Sequence, residues 1–125
     1  DAAGAATEEV PMQMRLSGLR GLRDLRDEDG RPLAERLEAL AAGALRRFSD
    51  RLRDVALHVE SDHGDPSAPA ACRVAVRRRH GPLLTAAARG HDPESAVRRA
   101  LERMRRVLAR DAERRLTFRT RRAAA

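Results

Sequence analysis

Lysine, tyrosine and tryptophan are missing from this sequence, phenylalanine occurs twice and cysteine once. Without Lys there can be no Gly-rich phosphate loop ending in the Lys that reaches bound phosphates. The one cysteine, Cys72, permits no intramolecular disulfide and no thiol-based zinc site, and reads as a small buried strand residue. The aromatic platforms on which single-strand readers stack bases are also missing, because Phe48 falls in an apolar helical stripe and only Phe118 remains. No apolar run approaches the roughly 18 residues that cross a membrane, and Asp1 to Val10 lacks the basic and apolar regions of a secretory signal. We therefore expect a cytoplasmic protein without a membrane partner.

Catalytic signatures are equally scarce. No nucleophile motif surrounds Ser17, Ser49, Ser61, Ser67 or Ser95. Asp62, His63 and Asp65 offer two carboxylates and an imidazole, but loops of Asp, Gly and Pro have this composition for turn reasons alone. His58, His80 and His91 have no partner at a ligand spacing. The expectation is no enzyme, no metal, no cofactor and no small-molecule substrate.

Positive charge is what the sequence has in excess. All 26 basic side chains are Arg, against 19 acids, giving a formal charge of +7 and an expected polyanion partner. The planar five-donor guanidinium suits phosphate, although an Ala- and Arg-rich chain without Lys is also what GC bias produces. A length of 125 residues allows one domain, with a thin core made mostly of Ala, Leu and Val.

Periodicity divides the chain further. Residues 1–10 have no pattern and read as a disordered leader, 11–116 as the folded domain and 117–125 as a basic flexible tail. Met12, Met14 and Leu16 alternate with polar residues and predict a half-buried strand ending at Gly18. A charged connection, Leu19 to Arg31, leads to a helix that begins near Pro32. Its apolar stripe is Leu33, Leu37, Leu40, Ala44, Leu45 and Phe48, with an exit at Ser49-Asp50. Val55, Leu57 and Val59 predict a second strand, and Cys72, Val74 and Val76 a third that closes on Gly81-Pro82. Leu83 to Arg89 is the fourth. The last helix has Asp92 as N-cap and Pro93 at its first position, followed by Val97, Leu101, Met104 and Leu108, and is expected to reach about Leu116. The fold class is therefore α+β, a single β-α-β-β-β-α domain whose four-stranded sheet carries two helices on one face, as in double-stranded-RNA-binding domains.

The basic residues are not evenly spread. Arg99, Arg103, Arg106 and Arg110 recur at helical spacing opposite the apolar stripe and predict a straight, outward row. Arg98 and Arg105 flank it, while Glu94, Glu102 and Glu113 fall off it. Like charges at such spacings cost a few tenths of a kcal/mol per pair, so the row calls for a reason beyond stability. On the first helix Arg36, Arg46, Arg47 and Arg51 are mixed with Glu35 and Glu38, and the last three also complement the helix dipole. Arg77 and Arg79 add to the basic run before the Gly81 turn. These twelve arginines are the candidate RNA-binding residues. The missing aromatics favour recognition of shape and backbone, as in folded RNA, over base reading. An acidic protein surface and nucleoid DNA are the alternative partners. The charge reversal Arg99→Glu with Arg106→Glu is expected to leave the fold intact.

The run Ala44-Leu45-Arg46-Arg47-Phe48-Ser49-Asp50-Arg51-Leu52, the strand Val55 to Glu60, Cys72-Arg73-Val74, Pro82-Leu83-Leu84 and the Arg-rich last helix together resemble the ribosome-associated inhibitor and hibernation-promoting factor family. The resemblance spans roughly Met12 to Arg115. It implies a β-α-β-β-β-α fold whose basic helical face lies on small-subunit (16S-type) ribosomal RNA, in the channel used by messenger and transfer RNA, where occupancy stops translation in resting cells. The loop Asp62 to Ala71 lacks the Gly- and Lys-rich character common in that family, and Leu19 to Arg31 is more charged. The likeness is to short members without a dimerisation domain, which implies a monomer off the ribosome. Double-stranded-RNA-binding domains share the α-β-β-β-α order, but their usual Lys-Lys helix start is replaced here by Asp92-Pro93-Glu94.

Overall fold

A computed structural model describes residues 12–124 except 21, 24 and 62–64, with side chains described as far as 117. The leader, the Asp62-His63 pair and the Phe118 side chain lie outside the described residues. Strand β1 (Gln13–Gly18) leads to helix α1 (Leu33–Ala44) and a 3-10 segment (Arg46–Arg51). Strands β2 (Leu52–Ser61), β3 (Ala70–Arg78) and β4 (Leu84–Gly90) follow, and helix α2 (Pro93–Ala124) completes the chain. The sheet order is β1-β2-β3-β4. β1 runs parallel to β2 and the other neighbours are antiparallel. A parallel neighbour needs a crossover, and α1 supplies it.

Strand alternation decides which side chains meet the helices. Met14, Val55, Val76 and Leu84 lie in one cross-strand row, and Leu16, Leu57, Val74 and Ala86 in the next. All face both helices, while Arg15, Ala56, Ala75 and Thr85 take the opposite face. From α1 the buried residues are Leu33, Ala34, Leu37 and Ala41, and from α2 Ala96, Val97, Ala100, Leu101, Met104 and Leu108. Among the described residues the core is aliphatic apart from Cys72, Met104 and Phe48, the last of them 5% exposed. A few large side chains therefore carry most of it; deleting one such as Leu37 costs roughly 2–5 kcal/mol.

The exit from β1 depends on one glycine. Gly18 has φ +85, and a Cβ there would collide with the Val59 carbonyl. Leu19 follows in the left-handed region at φ 56, donates its N–H to Val59 O at 2.9 Å and is buried. Leu19 and Leu22 thus anchor a connection whose charged residues gave no period. Asp27 tightens it by accepting from the backbone N–H of Asp29 and Arg31, each at 2.9 Å. Those donors, Arg31 first, hold the Asp27 carboxyl below its ordinary range.

Four expected boundaries move. α1 starts at Leu33, with Pro32 in the N-cap position, and it stops at Ala44 instead of running on through Phe48. The chain tightens there into the 3-10 segment, where Phe48 N–H donates to Leu45 O at 2.9 Å and the ring still reaches the core. β4 begins at Leu84, leaving Leu83 57% exposed. Helix α2 continues past Leu116 to Ala124. Its apolar stripe ends at Leu108, but no Gly or Pro follows Pro93, and Ala, Arg and Glu propagate a helix without a core beneath them.

Candidate nucleic-acid interface

The start of α2 fixes the azimuth of every Arg along it. Asp92 Oδ1 accepts from the Ser95 backbone N–H at 2.7 Å, and Ser95 Oγ accepts from the Asp92 N–H at 3.2 Å. This reciprocal cap satisfies two of the orphan donors of the first turn. The Ser95 bond is the main cause holding the Asp92 carboxyl below its ordinary value. With the apolar side of α2 held on β3 and β4, Arg98, Arg99, Arg103, Arg105, Arg106 and Arg110 are all exposed.

The row is not straight. Arg99 and Arg103 lean over the free edge of β4, where their Nη1 groups donate to Arg89 O at 3.3 Å and Ala87 O at 2.6 Å. Carbonyls on an unpaired strand edge attract donors, and guanidinium groups one helical turn apart match carbonyls two residues apart. Glu102 is not clear of the row, since its carboxylate accepts from Arg106 at 2.8 Å. Arg98 pairs with Glu94 at 3.3 Å. Such exposed pairs are worth under about 1 kcal/mol, so an incoming phosphate can displace them.

Arg36 has a structural role. It is half-buried and bridges Glu94 at the start of α2 and Asp27 at 3.4 Å in the connection. We place it outside the exposed surface. Arg46, Arg47 and Arg51 are exposed, but on the 3-10 segment beyond α1, whose own last turn has no basic residue. The dipole argument for them therefore does not hold for α1. Arg47 lies 5.1 Å from the centre of the Phe48 ring, a cation–π contact that fixes its stem. Arg77 is exposed on the sheet face opposite the helices, and Arg79 sits in the turn after β3. With Arg36 set aside on α1, the other eleven candidates occupy three regions: α2, the 3-10 segment with Arg79, and the open sheet face.

Arg78, between Arg77 and Arg79 in the chain, is buried at 6% exposure. Its Nε and Nη2 donate to Pro82 O at 3.2 and 3.0 Å, and its Nη1 donates to Asp111. Asp111 also meets Arg115 at 3.3 Å, and Arg115 donates to His80 O at 2.7 Å. This network ties the β3–β4 turn to the middle of α2. The signal was present in the alternation, since Cys72, Val74 and Val76 place residue 78 on the helix side.

Between the helices lies a cleft of about 600 Å³ floored by Ala39, Leu40, Gly43 and Ala44 and walled by Arg98 and Arg105. Small residues there keep the middle of α1 low beside the cations. On the opposite face, Ser17 Oγ is hydrogen-bonded to His58 Nδ1 at 2.8 Å, and His58 Nε2 donates to Glu60 at 3.0 Å. The His58 bond lowers the Glu60 carboxyl. The connectivity resembles a nucleophile relay, but Glu60 is 75% exposed, and water screens any charge it would lend. No group of three or more metal-ligating side chains occurs among the described residues, and none of their helices is long and apolar enough to cross a membrane.

No family model and no curated protein matches the sequence. Solved structures do match the fold. The Protein Y N-terminal domain of Thermus thermophilus superposes with a TM-score of 0.56 at 17% identity, covering 81% of this chain and 98% of that one. A ribosomal subunit interface protein from Coxiella burnetii gives 0.53 at 14% identity, covering 82% and 97%. The four-stranded mixed sheet with two helices on one face is thus the fold of the Protein Y N-terminal domain.

Proposed function

We propose that the protein associates with the ribosome, binding small-subunit ribosomal RNA through the exposed arginines of α2 and thereby holding ribosomes idle in resting cells. The observation that carries this reading is the run Arg98, Arg99, Arg103, Arg105, Arg106 and Arg110, all exposed on one helix of a fold shared with a ribosomal subunit interface protein. The 3-10 segment extends the surface with Arg46, Arg47 and Arg51. Recognition is by shape and phosphate position, because Phe48 is buried and Tyr and Trp do not occur. The chemistry required of the protein is positioning alone: guanidinium forks take phosphate oxygens, and the body of the domain occludes the RNA-lined space it enters. The protein acts as a cytoplasmic monomer and needs no cofactor.

Co-sedimentation with purified 30S and 70S ribosomes tests this, with free RNA and duplex DNA as competitors. Saturable one-to-one pelleting that outlasts excess free RNA is expected. Pelleting abolished equally by every polyanion would reduce the protein to a generic basic domain, and dependence on a few anchor residues, in place of a loss proportional to the arginines removed, would favour an acidic protein partner.

A further inference from the structure

The lean of Arg99 and Arg103 over the β4 edge carries their charge away from the outer side of α2 and onto the other face of the sheet. There an open groove of about 710 Å³ is lined by Ala71, Arg73, Ala87, Arg89, Arg99 and Arg103, with His58 and Glu60 at one end. We propose that this groove is a second contact for the same RNA, so that the phosphate-binding surface wraps around the β4 edge from α2 onto the open sheet. The proposal rests on the RNA-binding reading above and extends it to residues outside the helices.

Sheet register builds the site. Arg73 is opposite Ala87, and Ala71 is opposite Arg89, so each Arg on one strand faces an Ala on the other. The two arginines are diagonal neighbours, at a spacing of roughly 7–8 Å, close to the step between successive phosphates of an extended strand. The methyl side chains of Ala71 and Ala87 keep the floor low, and a phosphate can settle between the guanidinium groups. Arg99 and Arg103 each use Nη1 on a β4 carbonyl, and a guanidinium has five N–H donors, so both retain donors for a ligand while the edge holds them in place. Four cations face one carboxylate, Glu60, which is hydrogen-bonded to His58. The excess positive charge and its continuity with the α2 row match a polyanion better than an apolar partner. An RNA strand that leaves α2 across the β4 edge meets Arg99 and Arg103 first, then Arg89 and Arg73.

The test is the affinity of the full chain for a fluorescently labelled ribosomal RNA fragment and for 30S subunits, measured across a salt series. Arg73→Glu with Arg89→Glu is compared with Arg106→Glu with Arg110→Glu and with the parent. Arg73→Gln with Arg89→Gln serves as the milder pair, and circular dichroism verifies the fold of each. The proposal expects the open-face pair to weaken binding by about tenfold or more at moderate salt and to flatten the salt dependence, with the Gln pair showing the same flattening. Parent-like affinity and salt slope in the open-face variants, with loss confined to the α2 pair, would overturn the groove and leave the helix reading standing. Absence of RNA and 30S binding by the parent would overturn both.

Discussion

Cutting Asp111 back to alanine should damage the fold more than removing its partner Arg78. In Asp111→Ala the Arg78 guanidinium, in a residue 6% exposed, loses its only carboxylate among the described residues and retains the Pro82 carbonyl. Breaking a buried ion pair from one side costs about 3–5 kcal/mol, and the 26% exposure of the Asp111 side chain puts this case near the lower end, about 3 kcal/mol. In Arg78→Met the volume is retained, Asp111 still has Arg115 at 3.3 Å, and water reaches the carboxylate. That loss should be about 1 kcal/mol. Adding Arg78→Met to Asp111→Ala should then recover most of the difference, since no unpaired buried charge remains. With no Trp to report, urea unfolding followed by far-ultraviolet circular dichroism is the assay; the predicted gap of about 2 kcal/mol corresponds to about 8 °C in Tm. Equal losses, or a larger loss in Arg78→Met, would refute the claim that an uncompensated buried guanidinium dominates this network.

Other consequences follow from the same geometry. Gly18→Ala places a Cβ against the Val59 carbonyl at a positive φ, so a loss of several kcal/mol, or failure to fold, is expected in the same unfolding assay. Asp92→Ala removes the α2 cap and should cost about 1 kcal/mol near neutral pH. Because the Asp92 carboxyl is lowered in the folded state, its contribution is complete above the ordinary value of 3.8 and disappears as pH falls through the lowered one. Stability curves of parent and variant should therefore converge in acid, and a constant gap down to about pH 2 would contradict the cap. Cys72 is 2% exposed and burial pushes its thiol up to about 12, so a maleimide should label it only as fast as the domain unfolds. Rapid labelling of native protein at about pH 8 would show an open β3.

The elements were legible where a residue's chemistry had one local use. Pro93 after Asp92, and the alternation of Cys72, Val74 and Val76, announced α2 and β3 because caps and pleats depend on near neighbours. Leu19 and Leu22 were not recognisable as core, since their burial follows from the left-handed turn at Gly18-Leu19 and from packing against residues distant in sequence. The C-terminal extent of α2 was missed for a different reason: an apolar stripe marks where a helix is covered, not where it stops. Among the candidate arginines, spacing located the α2 row but could not distinguish roles. A guanidinium is equally suited to a phosphate, to Asp111, to Glu94 or to a strand-edge carbonyl, and only the fold decides which of these is within reach. The candidate Arg36 thus became structural, as did Arg78, which was not a candidate. Arg99 also gained a role at the β4 edge, which makes Arg110 the better companion to Arg106 in a charge reversal.

Equilibrium binding of the protein to 30S subunits over a salt series, for the parent and for Arg106→Glu with Arg110→Glu, tests the central claim most directly. Every phosphate that no longer meets an arginine should reduce the slope of log affinity against log salt by about 0.9, so removing two guanidinium groups predicts about 60-fold weaker binding near 0.1 M salt. That weakening should occur with little change in Tm, because both side chains are exposed and the Arg106–Glu102 pair is worth under about 1 kcal/mol. Unaltered affinity and slope in a folded double variant would contradict the account of α2 as the RNA-binding helix.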